Sequence, residues 1–184
     1  MNHPSPSFRI ETYSPAHQNV WDQFVRQAKN ATFLFERNFM EYHADRFEDA
    51  SLLVFKEKKL VALLPANRIG DQVISHQGLS YGGLVLSAKT KLTDTVVVFK
   101  EILRYLNKDG VSKLQLKLLP KIYHVQPADE IDYLLFLTEA TRTRVDVSVS
   151  IANSAKQKIQ GNRMEGVKKA ERQGLRVEKT TNFS

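Results

Sequence analysis

Residues 75–86 are the stretch of this sequence that most constrains how the chain can fold. They place three of its eight glycines, with a histidine, a tyrosine and two serines, between two apolar runs. Glycine at this density is typical of backbone that takes positive φ values, or of backbone that another group approaches closely. The residues alone leave two interpretations open: a loop that joins two sheet edges, or part of a functional site.

The composition is that of a globular chain with a basic C-terminal segment. Apolar residues make up 42% and charged residues 26% of the 184 residues, and this length favours one domain, or one domain with an appendage. The absence of cysteine excludes a disulfide framework, a thiolate metal site and a cysteine nucleophile. Of the net charge of +7, residues 156–184 carry +5. Such a localised basic segment indicates an anionic ligand or partner.

Membrane insertion and export are not expected. The sequence has no run of about 18 apolar residues that could span a bilayer. Residues 1–7 have neither the basic region nor the apolar region of a signal peptide. We therefore expect a cytoplasmic protein, which also fits the absence of cysteine.

The order of the predicted elements indicates an α/β (α+β) fold. Apolar alternation predicts strands at residues 8–13, 113–118 and 144–151, of which the last has the clearest pattern. Three further strands, at residues 51–56, 60–66 and 72–76, are predicted to form an antiparallel meander that leads into residues 75–86. Helical spacing predicts helices that begin near residues 15, 37, 93, 127 and 155. We expect a mixed, mainly antiparallel sheet flanked by helices.

Two smaller expectations concern the apolar residues near the second helix. Residues 37–47 are predicted to be helical, with Phe39, Met40, His43 and Phe47 on one apolar face. In the connector before this helix, Phe33, Leu34 and Phe35 are predicted to point into the core. After the last helix, Gly174 predicts a stop, and residues 175–179 begin another strand pattern.

Four groups of residues carry a resemblance to a known family. They are Thr32-Phe-Leu-Phe with Phe39, Tyr81-Gly82-Gly83, Val145-Asp146-Val147-Ser148, and the series Asn162-Arg163, Lys168-Lys169-Ala170-Glu171 and Gly174-Leu175. Together they resemble the FemABX-like branch of the GNAT acyltransferase superfamily, over nearly the whole chain. The resemblance implies an N-terminal GNAT-like domain at residues 1–154. Residues 155–184 would then be a basic linker helix and the first strand of a second GNAT-like domain.

The resemblance also implies an activity and its partners. The full-length protein would transfer an acetyl or aminoacyl group to an amine, with acyl-CoA or aminoacyl-tRNA as the donor. This chain would be the acceptor-side half, inactive by itself, and its acceptor a small molecule or a cell-wall precursor. The positions that match the family's acceptor-binding neighbourhoods are His43, Arg46, Tyr81, Gly82, Gly83, Arg163 and Lys168. His43 stands where the family has a lysine, which argues against a nucleotide-sugar acceptor.

Transfer to an amine needs a proton acceptor and a hydrogen-bond donor for the developing oxyanion. Tyr81 is the first candidate catalytic residue, because glycine-flanked backbone carries its hydroxyl, and Asp146 is the second. His76 and His124 are interpreted as loop residues. The nearest match to a pyrophosphate loop, at residues 163–168, ends in lysine and follows no apolar strand. This departure argues against autonomous acyl-CoA binding, and no residue spacing predicts a metal site.

Two alternatives remain open at this point. The chain is an acyltransferase half, or it is a non-catalytic GNAT-like module that binds an anionic ligand or a partner protein. Binding of nucleic acid, except as a tRNA donor, is not expected, because the basic segment lacks interleaved aromatic residues and any helix-turn-helix pattern. That segment is otherwise interpreted as the solvated face of a linker.

Overall fold

The computed structural model describes residues 7–152, 154 and 157–179. The chain divides into two compact units, residues 1–145 and 146–184, and each is described by itself. The described part of the first unit contains two four-stranded sheets, mainly antiparallel and flanked by helices, which confirms the predicted fold class. The elements are β1 (Phe8–Thr12), α1 (Gln18–Gln27), α2 (Arg37–Met40), β2 (Glu48–Asp49), β3 (Leu52–Lys56), β4 (Lys59–Leu64), β5 (Asn67–Ile69), β6 (Gln72–Ile74), β7 (Val85–Leu86), α3 (Leu92–Lys108), β8 (Lys113–Gln115), α4 (Glu130–Leu137) and α5 (Gly161–Arg172).

The first sheet has the order β1-β3-β4-β7 and is antiparallel throughout. It is covered on both faces, which explains the continuous apolar sequence of its central strands. Leu52 and Val54 of β3 belong to the same core cluster as Phe99 of α3. Leu53, between them, points to the other face and belongs to the cluster that contains Trp21 of α1.

The second sheet has the order β2-β5-β6-β8, and β6 pairs with β8 in parallel after the crossover through α3. The predicted three-strand meander is therefore wrong, because β4 and β6 lie in different sheets. The chain changes sheet at Pro65 and Ala66. Proline has no N–H for a ladder bond, and the N–H of Ala66 donates to the Ser51 hydroxyl at 3.1 Å instead.

Residues 75–86 join the two sheets. Ser75 follows β6 directly, and β7 at the other end pairs with β4, with Val85 opposite Leu63. Between these ends, Gly82 forms an isolated parallel bridge with Leu118 beyond β8. The segment is therefore anchored at both ends and near its middle.

The predicted helix at residues 37–47 is wrong in length. α2 ends at Met40, and a 3₁₀ turn follows at Glu41–His43. The buried side of α2 is formed by Arg37 and Met40. The Arg37 guanidinium lies 3.5 Å from the Tyr13 ring centroid and pairs with Asp49. Phe39 is 42% exposed and Phe33 is 65% exposed, contrary to the prediction, whereas Phe35 is buried as predicted.

The predicted strand at residues 144–151 is also wrong. No described strand pairs with it, and Val147 and Val149 are 93% and 86% exposed. Alternation predicts a two-faced strand, but the strand forms only where another backbone accepts and donates its ladder hydrogen bonds. Residues 175–179 likewise form no strand, and Val177 is fully exposed.

In the second unit, α5 is shorter than the helix predicted from residue 155, and residues 155–156 lie outside the described part of the chain. The helix ends before Gly174, whose φ of +75° is the left-handed conformation predicted for the stop. α4 begins at Glu130, three residues after the predicted proline start. In the described residues, no helix combines the length and the apolar character needed to cross a bilayer.

Candidate functional site

Ser75 holds the start of the glycine-rich segment against the strand that follows α3. Its N–H donates to the carbonyl of Gln115 at 2.8 Å, and its hydroxyl accepts from the N–H of Lys117 at 2.7 Å. The N–H of Gly82 then donates to the carbonyl of Lys117 at 2.6 Å. These bonds bring Gly82 and Gly83 next to the backbone that leads into the loop of residues 120–128.

Tyr81 lies beside this point with its hydroxyl already engaged. The hydroxyl is 3.1 Å from the Thr32 hydroxyl. Its ring packs edge-on against Phe35 at 6.0 Å between centroids and lies 5.7 Å from the ring of Tyr123. These contacts fix the orientation of the Tyr81 side chain.

A small cavity of about 40 Å³ opens where the glycine-rich segment meets the loop before α4. Three parts of the chain, separated widely in sequence, supply its walls. The lining residues are Asn30, Gly82, Gly83, Leu84, Leu118, Leu119, Lys121, His124, Ala128, Ile131 and Asp132. Gly82 and Gly83, predicted as binding residues, therefore line one cavity with His124, which is interpreted from the sequence as a loop residue.

His124 lines this cavity and has one buried ring nitrogen, Nδ1, without a hydrogen-bond partner among the described residues. Burial lowers the pKa of His124 below its ordinary value, more than a hydrogen bond to the Leu119 backbone raises it. The ring is therefore predominantly neutral at pH 7. No motif surrounds His124 in the sequence, so no local signal distinguishes it.

Lys121 fixes the rim of the cavity. Its ammonium group donates to Asp132 at 2.6 Å and also pairs with Asp129. Hydrogen bonds to these two carboxylates raise the pKa of Lys121. The bond between Lys121 and Asp129 also lowers the pKa of Asp129. The 3₁₀ turn at Lys121–Tyr123 is thereby tied to the first turn of α4.

Lys29 and Asn30 connect the two sides of the cavity. The Lys29 side chain is 5% exposed and pairs with Glu130, while its carbonyl accepts the N–H of Val125 at 2.8 Å. The side-chain amide of Asn30 donates to the Leu84 carbonyl at 2.8 Å, and its oxygen accepts the Leu86 N–H at 2.8 Å. Neither residue is predicted as functional, because the sequence assigns both to the end of α1 and its connector.

The other predicted residues lie elsewhere. His43 ends the 3₁₀ turn after α2, and Arg46 is exposed with its guanidinium 3.8 Å from Asp45. Phe47, next to Arg46, lies against His76, with 5.8 Å between ring centroids. The loop that carries Arg46 thus borders the beginning of the glycine-rich segment.

Three predicted site residues belong to the second unit. Asp146 lies before α5 in a stretch without regular structure, and Arg163 and Lys168 lie on α5. Arg163 and Lys168 are five residues apart on this helix, so their side chains point about 140° away from each other. They therefore do not lie on the same face of α5. The predicted pyrophosphate-loop match at residues 163–168 is helical, so its later backbone N–H groups are already bonded within α5.

The described part of the chain contains no candidate metal site. No group of three His, Asp or Glu side chains there is placed to hold an ion. The chemistry available at the cavity is that of a neutral imidazole, glycine backbone, and a lysine held between two carboxylates.

Comparisons with known proteins give only partial likenesses. No family model matches the chain, and no curated protein matches it in sequence. The ribosomal-protein-S18-alanine N-acetyltransferase from Escherichia coli is 12% identical over 59% of this chain and 64% of its own, with a TM-score of 0.42. The match therefore spans less than two thirds of that enzyme's length.

The second solved structure is the aminoglycoside N-acetyltransferase AAC(6')-Iy in complex with CoA. It is 9% identical over 83% of this chain and 99% of its own, with a TM-score of 0.44. At these identities and TM-scores, the two likenesses assign neither a family nor an activity to this chain.

Proposed function

We propose that this chain is the acceptor-side half of a FemABX-like, GNAT-type N-acyltransferase, which transfers an acetyl or aminoacyl group to an amine. The observation that carries the proposal is that Gly82 and Gly83 line one cavity with the neutral ring of His124. The residues that resemble the family, from Thr32 to Leu175, extend this support along the chain.

Transfer to an amine places two chemical requirements on such a cavity. A nucleophilic amine has to reach the site with its lone pair free, and charge that develops on the acyl oxygen has to be met by hydrogen-bond donors. Gly82 and Gly83 line the cavity with backbone in place of side chains, and the N–H of Gly82 is itself bonded to the Lys117 carbonyl. Gly83 is buried and has a φ of +97°, a conformation that most residues with a side chain do not adopt.

The acceptor is a small molecule or a cell-wall precursor with a free amine. In this proposal Tyr81, held by Thr32, positions the acceptor. His43 and Arg46, in the same unit as Tyr81, supply further contacts to it. Arg163 and Lys168 as acceptor-binding residues, and Asp146 as a secondary catalytic candidate, rest on the family resemblance alone. The donor is acyl-CoA or aminoacyl-tRNA. The helical state of residues 163–168 leaves no pyrophosphate loop there, so the donor site belongs to another part of the full-length protein.

The test is transfer by the full-length protein with acetyl-CoA and a panel of primary amines, measured as release of free thiol. A parallel assay uses charged tRNA. Tyr81→Phe is expected to lower kcat/KM about tenfold, because one hydrogen bond contributes on the order of 1 kcal/mol. Tyr133→Phe, the same change on a partly exposed tyrosine of α4, is the matched control. If neither acetyl-CoA nor charged tRNA supports transfer, the proposal is wrong. If Tyr81→Phe and Tyr133→Phe are equally active, Tyr81 does not position the acceptor.

A second candidate is a non-catalytic module that binds an anionic ligand or partner. The observation that favours it is α5, in which no residue is buried and Lys168, Lys169 and Arg172 lie on one face. Calorimetry of this 184-residue chain with acetyl-CoA, an anionic ligand, separates the candidates. Micromolar binding contradicts an acceptor-side half whose donor site lies elsewhere, and it favours the module.

A further inference from the structure

We infer that the exposed side of α4, with the groove between α3 and α4, is a docking surface for a second copy of this chain. The inference is independent of the proposed function, because no step of it involves acyl transfer. Three observations support it: an open apolar groove, an exposed aromatic ring beside that groove, and opposite charges at the two edges of the surface.

The groove between α3 and α4 has a volume of about 390 Å³ and a mainly apolar lining. Phe99 and Leu103 of α3 line one side, and Leu134 and Leu137 of α4 line the other. Phe99 and Leu134 also belong to the core, whereas Leu137 is half-exposed. Water therefore meets apolar surface along the groove, and covering that surface lowers the free energy.

α4 carries apolar residues around a wider arc than α3 covers. Successive helical residues are about 100° apart, so four of them follow one another over an arc of about 160°. In order around the helix they are Leu134, Leu137, Tyr133 and Phe136. Leu134 belongs to the core shared with α3, whereas Tyr133 is half-exposed and Phe136 is 78% exposed. A helix with so wide an apolar arc is normally covered on a second side.

The groove and the Phe136 ring are arranged as a two-fold dimer requires. In such a dimer each copy meets the same surface of the other, so a groove on one side of the axis needs a protrusion on the opposite side. Around α4, the groove lies next to Leu137, and Phe136 lies beyond Tyr133 on the other side. A two-fold axis that passes near Leu137 and Tyr133 brings the Phe136 ring of each copy to the groove of the other. Both apolar surfaces are then covered at once.

The α3 edge of this surface is positive. Lys100 and Arg104 line the groove about one helical turn apart, and both are exposed. Glu101 pairs with Arg104 at 2.7 Å. Two cations and one carboxylate leave this edge with a net charge of +1. The groove therefore fits a partner that brings a carboxylate beside its apolar residues.

The edge of α4 beyond Phe136 is negative. Asp132 follows Phe136 around the helix by about 40°, and it shares the Lys121 ammonium with Asp129. These two carboxylates and one ammonium group have a net charge of −1. The same two-fold axis brings this edge of one copy to the positive edge of the other, once on each side of the axis. Apolar shape and charge thus identify the same partner, a second copy.

Sedimentation equilibrium of this 184-residue chain measures the proposed dimer. Phe136→Ser is expected to raise the dissociation constant by at least about 30-fold, because buried aromatic rings are among the residues that dominate interfaces. Phe33→Ser changes another exposed phenylalanine, in the turn before α2, and is expected to leave the constant unchanged. A chain that is monomeric at about 1 mM, or a Phe136→Ser dimer as tight as the wild type, overturns the inference.

Lys100→Glu tests the charges at the two edges. It is expected to raise the dissociation constant about tenfold at low salt, because both contacts then join like charges. Adding Asp132→Lys to the same chain exchanges the two charges and is expected to restore dimerisation, and circular dichroism checks that each variant is folded. A dimer that is insensitive to Lys100→Glu, or a folded double variant that dimerises no better than Lys100→Glu, overturns the inference.

Disulfide cross-linking locates the axis. Because the chain contains no cysteine, Leu137→Cys supplies a single thiol beside the axis, and oxidation is expected to join two copies. Ile69→Cys, on an exposed residue of β5, is the control and is expected not to cross-link. Equal cross-linking of the two variants overturns the inference. A monomeric chain that binds decanoate, with binding lost in Leu137→Asp, overturns it in favour of a small apolar ligand in the groove.

Discussion

Gly82 and Ser75 pack backbone against backbone, and a Cβ atom at position 82 would lie 2.1 Å from the Ser75 carbonyl oxygen. That carbonyl has little freedom to move, because the N–H and the hydroxyl of Ser75 are both bonded to the strand beyond α3. Glycine in this segment is expected either for positive φ values or for close approach of another group. Close approach of the Ser75 backbone is the reason for glycine at position 82. The same approach also gives the cavity its glycine wall.

Gly82→Ala is therefore expected to lower the free energy of unfolding by about 1–3 kcal/mol, since a new atom is forced against backbone. Urea unfolding measures this change. Gly166→Ala is the control, because a Cβ there meets nothing within 4 Å and alanine favours a helix. It is expected to raise the helical signal in circular dichroism. A Gly82→Ala protein as stable as the wild type would contradict the packing.

Lys29→Met is expected to cost about 3–5 kcal/mol of stability, because it leaves the Glu130 carboxylate buried without its partner. The double variant Lys29→Met/Glu130→Leu is expected to lose less, since it removes both charges together. The exposed pair of Arg104 and Glu101 serves for comparison. There Arg104→Ala is expected to change stability by less than about 1 kcal/mol. Equal losses in the single and double variants would show that the pair is not coupled.

Asn30→Ala is expected to lower stability by about 1–3 kcal/mol, because it leaves the Leu84 carbonyl and the Leu86 N–H unpaired in the interior. Hydrogen exchange of the Leu86 amide should accelerate, whereas amides of α3 exchange as before. Asn38→Ala is the control, because the Asn38 side-chain amide is exposed and accepts a hydrogen bond from Gln18. Its free energy of unfolding is expected to stay within about 0.5 kcal/mol of that of the wild type. If the exchange rate of the Leu86 amide is unchanged, the hydrogen bond from this amide to Asn30 is ruled out.

Val147→Thr is expected to change stability by less than about 0.5 kcal/mol, because the side chain is 93% exposed. Val54→Thr, a similar change at a fully buried site in β3, is expected to cost about 1–3 kcal/mol. Both are measured by urea unfolding. A loss at Val147 as large as that at Val54 would support the buried strand predicted from the sequence.

Elements encoded by neighbouring residues are predictable from the sequence. The alternation at residues 8–13 forms β1, and the helix start predicted near residue 93 is that of α3. The stop predicted at Gly174 follows the end of α5. In each case the determining contacts lie within a few residues, so local propensity and periodicity contain them. The domain boundary at residue 154 and the second GNAT-like domain stay predictions.

Only the tertiary structure decided which residues distant in sequence lie next to each other. The alternation of residues 144–151 specifies two faces, but no local pattern reports whether a second strand is present to pair with it. His124 and Gly82 are unremarkable in their own segments and become a site only when the crossover through α3 brings β8 and its following loop beside the glycines. By itself the sequence determined that residues 75–86 need unusual backbone. Folding determined which atoms lie opposite that backbone, because burial and orphan hydrogen-bonding groups are properties of packed surfaces and not of any single segment.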